Sequence, residues 1–533
     1  MDSIRVERLR CLGDTGHIQL KPITVLLGQN SSGKSSFLRI LPLLKQSVEL
    51  RTIEPILWFG RLVDFGNFDD AHQTGGEGSI AFSFNFKLES SNYGINTDFV
   101  DLIFSEGAKI LNTLNITLSL QVSKYKNKEA TRTSKIFLQI EDSKIELEFG
   151  EDDYLTKFWV NSFNVLNVLN LGDKYFSSKF NINFLLPTIT EKEQKKEYEF
   201  NKSFLYSQIL NTYVFRLPAL FKALTDKIEE TIHPKTKLEN IIKMVLSFGL
   251  GNSENMLKDI QQNTFAGKSW KSKTQEWTIE TKEFKELRDI IIAFAISFII
   301  EKCDEILANF SKNISYIGPV RATAVRYYRY QGLAVDEVDS QGNNLAMFLR
   351  NLNQSQMQSF SAWTLDNFGF NPSIKSSIDH ISLTICSKDS DKDLNIADTG
   401  FGFSQILPVI TQLWLLSSSN RGNRGTITYA IEQPELHLHP RLQGTLTDAL
   451  VKSITAAKDN DIDLRLMIET HSEVLVNRLG QLIAEGKISP DEINIVLFEP
   501  SDKLGEVTIR NVQFDSDGYL LNWPLGFFEM ELV

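Results

Sequence analysis

The sequence predicts an α/β protein in which a mixed sheet is assembled from two sequence-distant halves, with an antiparallel β subdomain and a helical insertion between them. Three observations predict it. Residues 18–44 read as strand, glycine loop and helix, residues 316–500 alternate apolar strands with helical stretches, and the chain between them passes from period two to helical spacing. The expected division is 1–88 and 313–512 as the two parts of one lobe, 89–150 as the antiparallel subdomain, 151–312 as the helical insertion and 513–533 as a tail.

Taken in order, residues 18–27 end in a short apolar run that Gly28 to Gly33 interrupt, after which Phe37, Leu38, Ile40, Leu41 and Leu44 recur at helical spacing. Pro42 removes an amide donor inside that helix, so a kink is expected near its second turn. From Ile80 to Glu148 the pattern has period two, as in Phe82, Phe84, Phe86, then Ile116, Leu118, Leu120, then Ile136, Leu138, Ile140, and reads as antiparallel strands. Residues 155–310 turn to helical spacing with long polar faces. The longest apolar run, Ile290 to Ile300, is about half of the roughly 20 residues a membrane-spanning helix needs and reads as a buried helix, so no membrane association is expected. Beyond Tyr316 the strand candidates are 382–386, 426–431, 464–469 and 494–499.

With 533 residues and 42% apolar content the chain can bury a large core and divide into more than one compact unit. Its net charge of −11 repels nucleic acid over the surface as a whole, so any such binding needs a local basic patch. Met1 leads directly into an alternating pattern (Ile4, Val6, Leu9) without the features of a secretory signal, and a cytoplasmic protein is expected. Cys11, Cys303 and Cys386 are too few and too scattered for a disulfide framework or a metal site, and read as buried structural thiols.

Gly28-Gln29-Asn30-Ser31-Ser32-Gly33-Lys34-Ser35 fits G-x-x-x-x-G-K-S/T between a strand and a helix. Glycines let such a loop curl so that its N–H groups point inward; the helix N-terminus adds positive potential, Lys34 reaches the outer phosphates and Ser35 can ligate magnesium. Magnesium also needs an acid, and the apolar strand 426–431 runs into Glu432, followed by Gln433, Pro434 and Glu435. His437 and His439 lie two residues apart but lack the further ligands of a metal site. A second strand ends at Glu469-Thr470-His471-Ser472, where a histidine can hydrogen-bond a γ-phosphate oxygen. Asp398 to Gln405 forms a glycine turn with Ser404 at a helix start, an end that offers free N–H groups to an anion or is simply a serine-capped helix.

In chain order, GQNSSGKSS, DTGFGFSQILPV, YAIEQPELHLHP and ETHSE resemble the Walker A, signature, Walker B and switch-histidine elements of ABC-type ATPases such as the OLD and RecF families. LKPITVLLGQNSSGKSS, YIGPVRATAVRYYRY at 316–330 and WPLGFFE at 523–529 are similar to the stand-alone ATPases of bacterial anti-phage defence operons, most of all to the PtuA family of Septu and retron systems, whose members work beside an HNH nuclease. The resemblance covers roughly residues 1–87 and 313–533. It implies an ABC-ATPase-type mixed sheet with a P-loop, and ATP and Mg2+ as cofactors. It further implies that Gly28, Asn30, Ser31, Ser32, Gly33, Lys34, Ser35 and Ser36 hold nucleotide, that Ser35 and Glu432 order magnesium, and that His471 is the switch histidine. Ser404 would touch the γ-phosphate bound by the opposite subunit, which makes the working unit a homodimer or higher homo-oligomer. Gln73, after Phe65-Gly66-Asn67, stands for the glutamine-loop residue on the metal side, in surroundings that match poorly. Where many ABC ATPases carry a second acid to activate water, this chain has Gln433, which orients water but cannot take a proton; Glu435 is the available substitute. Slow hydrolysis is therefore expected, as suits a sensor or clamp.

The seven histidines contain no H-N-H arrangement, and the sequence ends about 60 residues after His471, so nuclease activity is expected on another chain. The expected role is that of a sensor or regulatory subunit controlling a separate HNH-type nuclease, with nucleic acid (single-stranded DNA, RNA or retron msDNA) as a further partner. The alternative is a RecF-like repair or recombination ATPase acting directly on DNA; a transporter-type ATPase is disfavoured by the insertion. Nucleic-acid contact is expected of Arg321, Arg326 and Arg329, interleaved with Tyr327, Tyr328 and Tyr330, or of Lys124, Lys126, Lys128, Arg132 and Lys135, although solvated faces or subunit contacts are the heavier alternative for both. The aromatic tail, with Tyr519, Trp523, Phe527 and Phe528, either packs on its own lobe or docks a partner.

Overall fold

The computed structural model describes residues 1–73, 78–89, 113–172, 174–179, 184–191, 217–332, 334–377, 379–388, 392–418, 425–501 and 507–524. The chain forms two compact units, one from residues 1–7, 47–57 and 75–309, the other from 8–46, 58–74 and 310–533.

The second unit holds a mixed sheet of β1 (Ile23–Gly28), β2 (Ile314–Ile317), β3 (Thr426–Glu432), β4 (Asp463–Glu469), β5 (Ile493–Pro500) and β6 (Val507–Phe514). Their spatial order is β2-β3-β4-β1-β5-β6, with Leu520–Leu521 beyond β6. The first five are parallel, and β6 runs antiparallel to β5. Strands covered on both faces read as continuous apolar runs, and β1 is buried at every position. Because the five parallel strands share a direction, their C-terminal ends form one edge, which is where open α/β sheets hold their ligands. Helix α1 (Lys34–Leu38) follows β1, helix α2 (Phe401–Ser418) precedes β3, and helix α3 (Pro440–Asp459) joins β3 to β4. Along α2 every residue from Ser404 to Ser417 is buried, and Val409 accepts the Tyr429 hydroxyl through its carbonyl at 3.1 Å.

The helix expected across Pro42 breaks earlier, between α1 and the helix Ile40–Glu49, at Arg39. Proline then sits in the first turn of the second helix, where an amide donor has no partner to lose. The strand expected at 382–386 exists as His380–Ser387 but pairs antiparallel with Phe370–Ser376 in a separate small sheet. At the tail, Phe514 belongs to the core and Leu520 and Trp523 pack against it, while Tyr519 is exposed; Phe527 and Phe528 lie outside the described residues.

The first unit contains an antiparallel sheet in the order Phe163–Asn164, Leu155–Val160, Ser143–Phe149, Thr131–Ile140, Thr113–Lys124, Ile80–Glu89, Ser3–Leu9. Alternation places Leu114, Ile116, Leu118 and Leu120 inside and their neighbours toward solvent. The sheet thus runs past residue 150, and 155–160 is a strand where helical spacing was expected. Leu155, Phe158 and Val160 are buried on it, a signal too short to separate from the helical patterns that follow. Residues 176–179 and 188–191 pair as two further strands. Helices Val165–Val168, Pro218–Glu229, Leu238–Ser247, Ser253–Gln261, Lys268–Thr274 and Lys282–Lys312 complete the described part. The apolar run from Ile290 to Ile300 lies on the last of these, largely buried, and among the described residues no helix is long and apolar enough to cross a membrane. Cys303 is buried as expected, whereas Cys11 and Cys386 are only partly covered.

Candidate nucleotide-binding site

The loop after β1 is shaped by residues that few alternatives could replace. Gly28 has φ 154°, and a Cβ there would collide with the Phe498 carbonyl on β5. Gly33, at φ 91°, caps α1 and leaves no room for a Cβ against Leu12 and Cys11; Ser31 is also left-handed at φ 62°. Between these turns Lys34 is buried, and its ammonium donates to the carbonyls of Gly28 at 3.0 Å and Gln29 at 2.6 Å. Burial pushes the Lys34 ammonium down, and the nearby Glu469 opposes that shift. Asn30 and Ser31 face solvent, Ser32 and Ser36 are buried, and the Ser32 hydroxyl has no hydrogen-bond partner.

Strands β3 and β4 end side by side, with Glu432 in register with Glu469. The Ser35 hydroxyl, first turn of α1, donates to Glu469 Oε1 at 2.8 Å. Glu469 is 3% exposed and its Oε2 has no partner. Burial first, and the charge of Glu432 second, hold its carboxyl up at about 7, while Ser35, Lys34 and Arg39 pull the other way. Glu432, 1% exposed, is gripped instead by Arg39, which donates Nε to Oε1 at 2.7 Å and Nη2 to Oε2 at 2.8 Å, and by the Tyr316 hydroxyl at 2.6 Å. That bond to Glu432 is the main reason Arg39 is raised above its ordinary value; burial chiefly raises the Tyr316 phenol. The sequence pairs Ser35 with Glu432, but the structure gives the Ser35 hydroxyl to Glu469, because β4 lies between β3 and β1.

Past Glu432 the chain turns through Gln433 at φ 43°, a left-handed conformation that costs a glutamine about 1 kcal/mol or more. Its N–H donates to the Glu469 carbonyl at 2.8 Å. Glu435 accepts the His471 N–H on Oε1 at 2.8 Å, which ties the turn after β3 to the turn after β4, and burial raises its carboxyl. Partial cover and then the Lys34 charge lower the His471 imidazole, so this side chain shares the field of the loop lysine. His439 caps α3 by accepting the Arg441 N–H.

Ser404 does not open its helix: α2 begins at Phe401, and the Ser404 hydroxyl donates to the Phe401 carbonyl at 2.7 Å. Gln73 lies beside Gly13, two residues from the Cys11 that lines Gly33, and its N–H donates to Arg8; no metal-side group contacts it among the described residues. Arg321, expected at a nucleic-acid surface, is 3% exposed, and its Nη2 donates to the Glu432 carbonyl at 2.7 Å. Arg326 forms an ion pair with Asp398, whereas Arg329 is exposed, Tyr327 is 61% exposed, and Tyr330 stacks under Arg350 at 4.0 Å. In the hairpin cluster Lys124 pairs with Glu129 at 2.8 Å, Arg132 with Glu151 at 3.0 Å and Lys135 with Glu148 at 3.2 Å, the arrangement of a solvated face.

Glu469, Arg39, Tyr316 and Arg321 are the members of this cluster that the sequence did not single out for it. Two signals were present: Glu469 ends an apolar strand just as Glu432 does, and Arg39 lies four residues after Ser35, one helical turn away.

A glycine loop closed over its lysine at the C-terminal edge of a mostly parallel sheet, facing acids from two neighbouring strands, defines an α/β protein with a candidate phosphate-binding loop at its ligand edge. The chain belongs to the AAA ATPase domain family, whose profile matches residues 1–476. Among solved structures it is similar to the Smc head domain with an extended coiled coil bound to the C-terminal domain of ScpA from Pyrococcus furiosus, with 9% identity, 96% of each chain covered and a TM-score of 0.34. It is also similar to the SMC head domain from Thermotoga maritima, with 8% identity over 96% of this chain and 97% of that one and a TM-score of 0.33. No curated protein matches it.

Proposed function

We propose that the chain binds Mg·ATP on the loop 28–36, hydrolyses it slowly, and uses its nucleotide state to control assembly with a partner. The observation that carries this reading is the 2.8 Å bond from Ser35 to Glu469, which joins the N-terminal loop to an acid from the last quarter of the sequence. The donors suit the group: a serine hydroxyl beside two carboxylates is hard-oxygen chemistry of the kind magnesium takes, and Glu469 Oε2 and Ser32 Oγ are buried oxygens without partners. In this reading Lys34 moves from the loop carbonyls to the outer phosphates, Ser35 and Glu469 lie on the metal side, and Glu432 orders that side through Arg39. His471, in the field of Lys34, responds to the γ-phosphate. Gln433 orients water, Glu435 is the nearest acid able to take a proton, and Ser404 of an opposing protomer completes the site in a homodimer. Magnesium, when bound, neutralises phosphate charge. Steady-state turnover tests the slow-hydrolysis part: many ATP per second, unchanged in Gln433→Leu, would remove it.

The finer role rests on the motif resemblance alone. In it, the chain is the cytoplasmic sensor of an anti-phage system like those of the PtuA family, restraining a separate HNH-type nuclease and releasing it when nucleotide or nucleic-acid state changes. The exposed Arg329 and Tyr327 and the Arg350–Tyr330 stack support nucleic-acid contact, and would equally serve a RecF-like ATPase acting on DNA without a toxic partner. Affinity purification from the native host separates the two: a stoichiometric nuclease chain supports the first, and binding to DNA without such a partner supports the second.

A further inference from the structure

We infer that Glu469 supplies the carboxylate that faces the metal of a bound Mg·nucleotide, and that Glu432 is a positioning residue held away from it by Arg39 and Tyr316. The inference rests on the reading of the loop 28–36 as the nucleotide cradle and changes the division of labour between its two acids. Ser35 Oγ and Glu469 Oε1 are 2.8 Å apart, close to the spacing of about 3 Å between neighbouring oxygens around an octahedral magnesium. The second oxygen of Glu469 is buried and unpartnered, so it has coordinating capacity to offer. Glu432 has little: both of its oxygens accept charge-assisted bonds from Arg39, and one also accepts the Tyr316 hydroxyl. Turning Glu432 toward a metal would break bonds that hold a buried charge. Sheet order favours the same assignment, since β4, which ends in Glu469, is the direct neighbour of the loop strand β1, and β3, which ends in Glu432, is one strand further away. What remains for Glu432 is to fix Arg39 one turn along α1 from Ser35, and so to hold the serine hydroxyl in place.

The test measures the affinity of the full-length chain for a fluorescent ATP analogue in Mg2+ and in EDTA, and Mn2+ binding in the presence of ADP by electron paramagnetic resonance. Glu469→Gln keeps the side-chain shape and removes the charge. It is expected to reduce the magnesium-dependent gain in affinity and the Mn2+ affinity by about tenfold or more, with binding in EDTA unchanged or tighter. Ser35→Ala should lose the same gain and serves as the second variant if Glu469→Gln does not fold. Glu432→Gln should keep most of the gain and melt at lower temperature. A Glu469→Gln chain with the parent's magnesium gain, or a Glu432→Gln chain that alone loses it, overturns the assignment. Lys34→Ala separates the two levels: if it binds the analogue in EDTA as tightly as the parent, the cradle reading itself falls, whereas its loss together with a parent-like Glu469→Gln defeats only the assignment of the acids.

Discussion

Exchanging Glu469 for glutamine also makes a prediction about stability. The carboxyl is held at about 7 against an ordinary 4.5, by burial and by the neighbouring Glu432. Across that interval the unfolded chain ionises while the folded chain keeps its proton, so the folded state binds more protons and stability falls as pH rises. The contribution is fully present below about 4.5, declines through the interval and is gone above about 7. At 1.36 kcal/mol per pH unit, a displacement from 4.5 to about 7 corresponds to about 3 kcal/mol, most of it lost between about pH 5 and 8. Glutamine has no such proton to lose. Denaturant unfolding of parent and Glu469→Gln in EDTA without nucleotide, followed from pH 5 to 8, should therefore show the parent losing about 2–3 kcal/mol relative to the variant. Asp304 and Glu191, both raised to about 7 by burial, have the same sign but are common to both proteins, so the difference between the two curves is the readout. Parallel curves would mean that Glu469 titrates alike in the folded and unfolded chain.

Arg39→Ala leaves the buried Glu432 carboxylate with only Tyr316 and should cost about 3–5 kcal/mol in denaturant unfolding, with Arg39→Lys recovering only part because the paired geometry is lost. Gln433→Glu installs a proton acceptor at the turn after β3 and should raise single-turnover hydrolysis by about tenfold or more; an unchanged rate would count against a water-orienting role for this position. Gly28→Ala forces a Cβ against the Phe498 carbonyl, so circular dichroism should show a lower melting temperature and titration should show lost nucleotide binding. If the 327–330 surface touches nucleic acid, Arg329→Ala should weaken that binding and flatten its salt dependence, while Arg326→Ala, whose guanidinium is already paired with Asp398, should change it less.

Local signals carried much of this fold. The loop Gly28 to Ser35 could be read because its backbone angles admit few residue types, and the strands at 426–431, 464–469 and 494–499 because parallel strands are apolar on both faces. Strand order is another matter. That β4 inserts between β1 and β3 follows from pairings between segments more than 400 residues apart, so the Ser35 partner could not be taken from either segment alone. Arg321 looked like a surface cation because tyrosines and arginines follow it, yet only a folded turn shows the Glu432 carbonyl that draws it inside. The strand Leu155–Val160 was lost for a different reason: six residues between Tyr154 and Asn161 give too few repeats to separate period two from helical spacing.

In the proposed site one Mg·ATP is held jointly by the loop near the start of the chain and the acid that ends β4, with the acid that ends β3 fixing Arg39 beside them. A crystal structure with Mn2+ and a non-hydrolysable ATP analogue, phased to show the manganese anomalous signal, addresses it most directly. One peak is expected about 2.1 Å from Ser35 Oγ with a Glu469 oxygen in the same shell, and phosphates between Lys34 and His471. A nucleotide bound away from the loop 28–36, or manganese bound by neither Ser35 nor Glu469, overturns that arrangement.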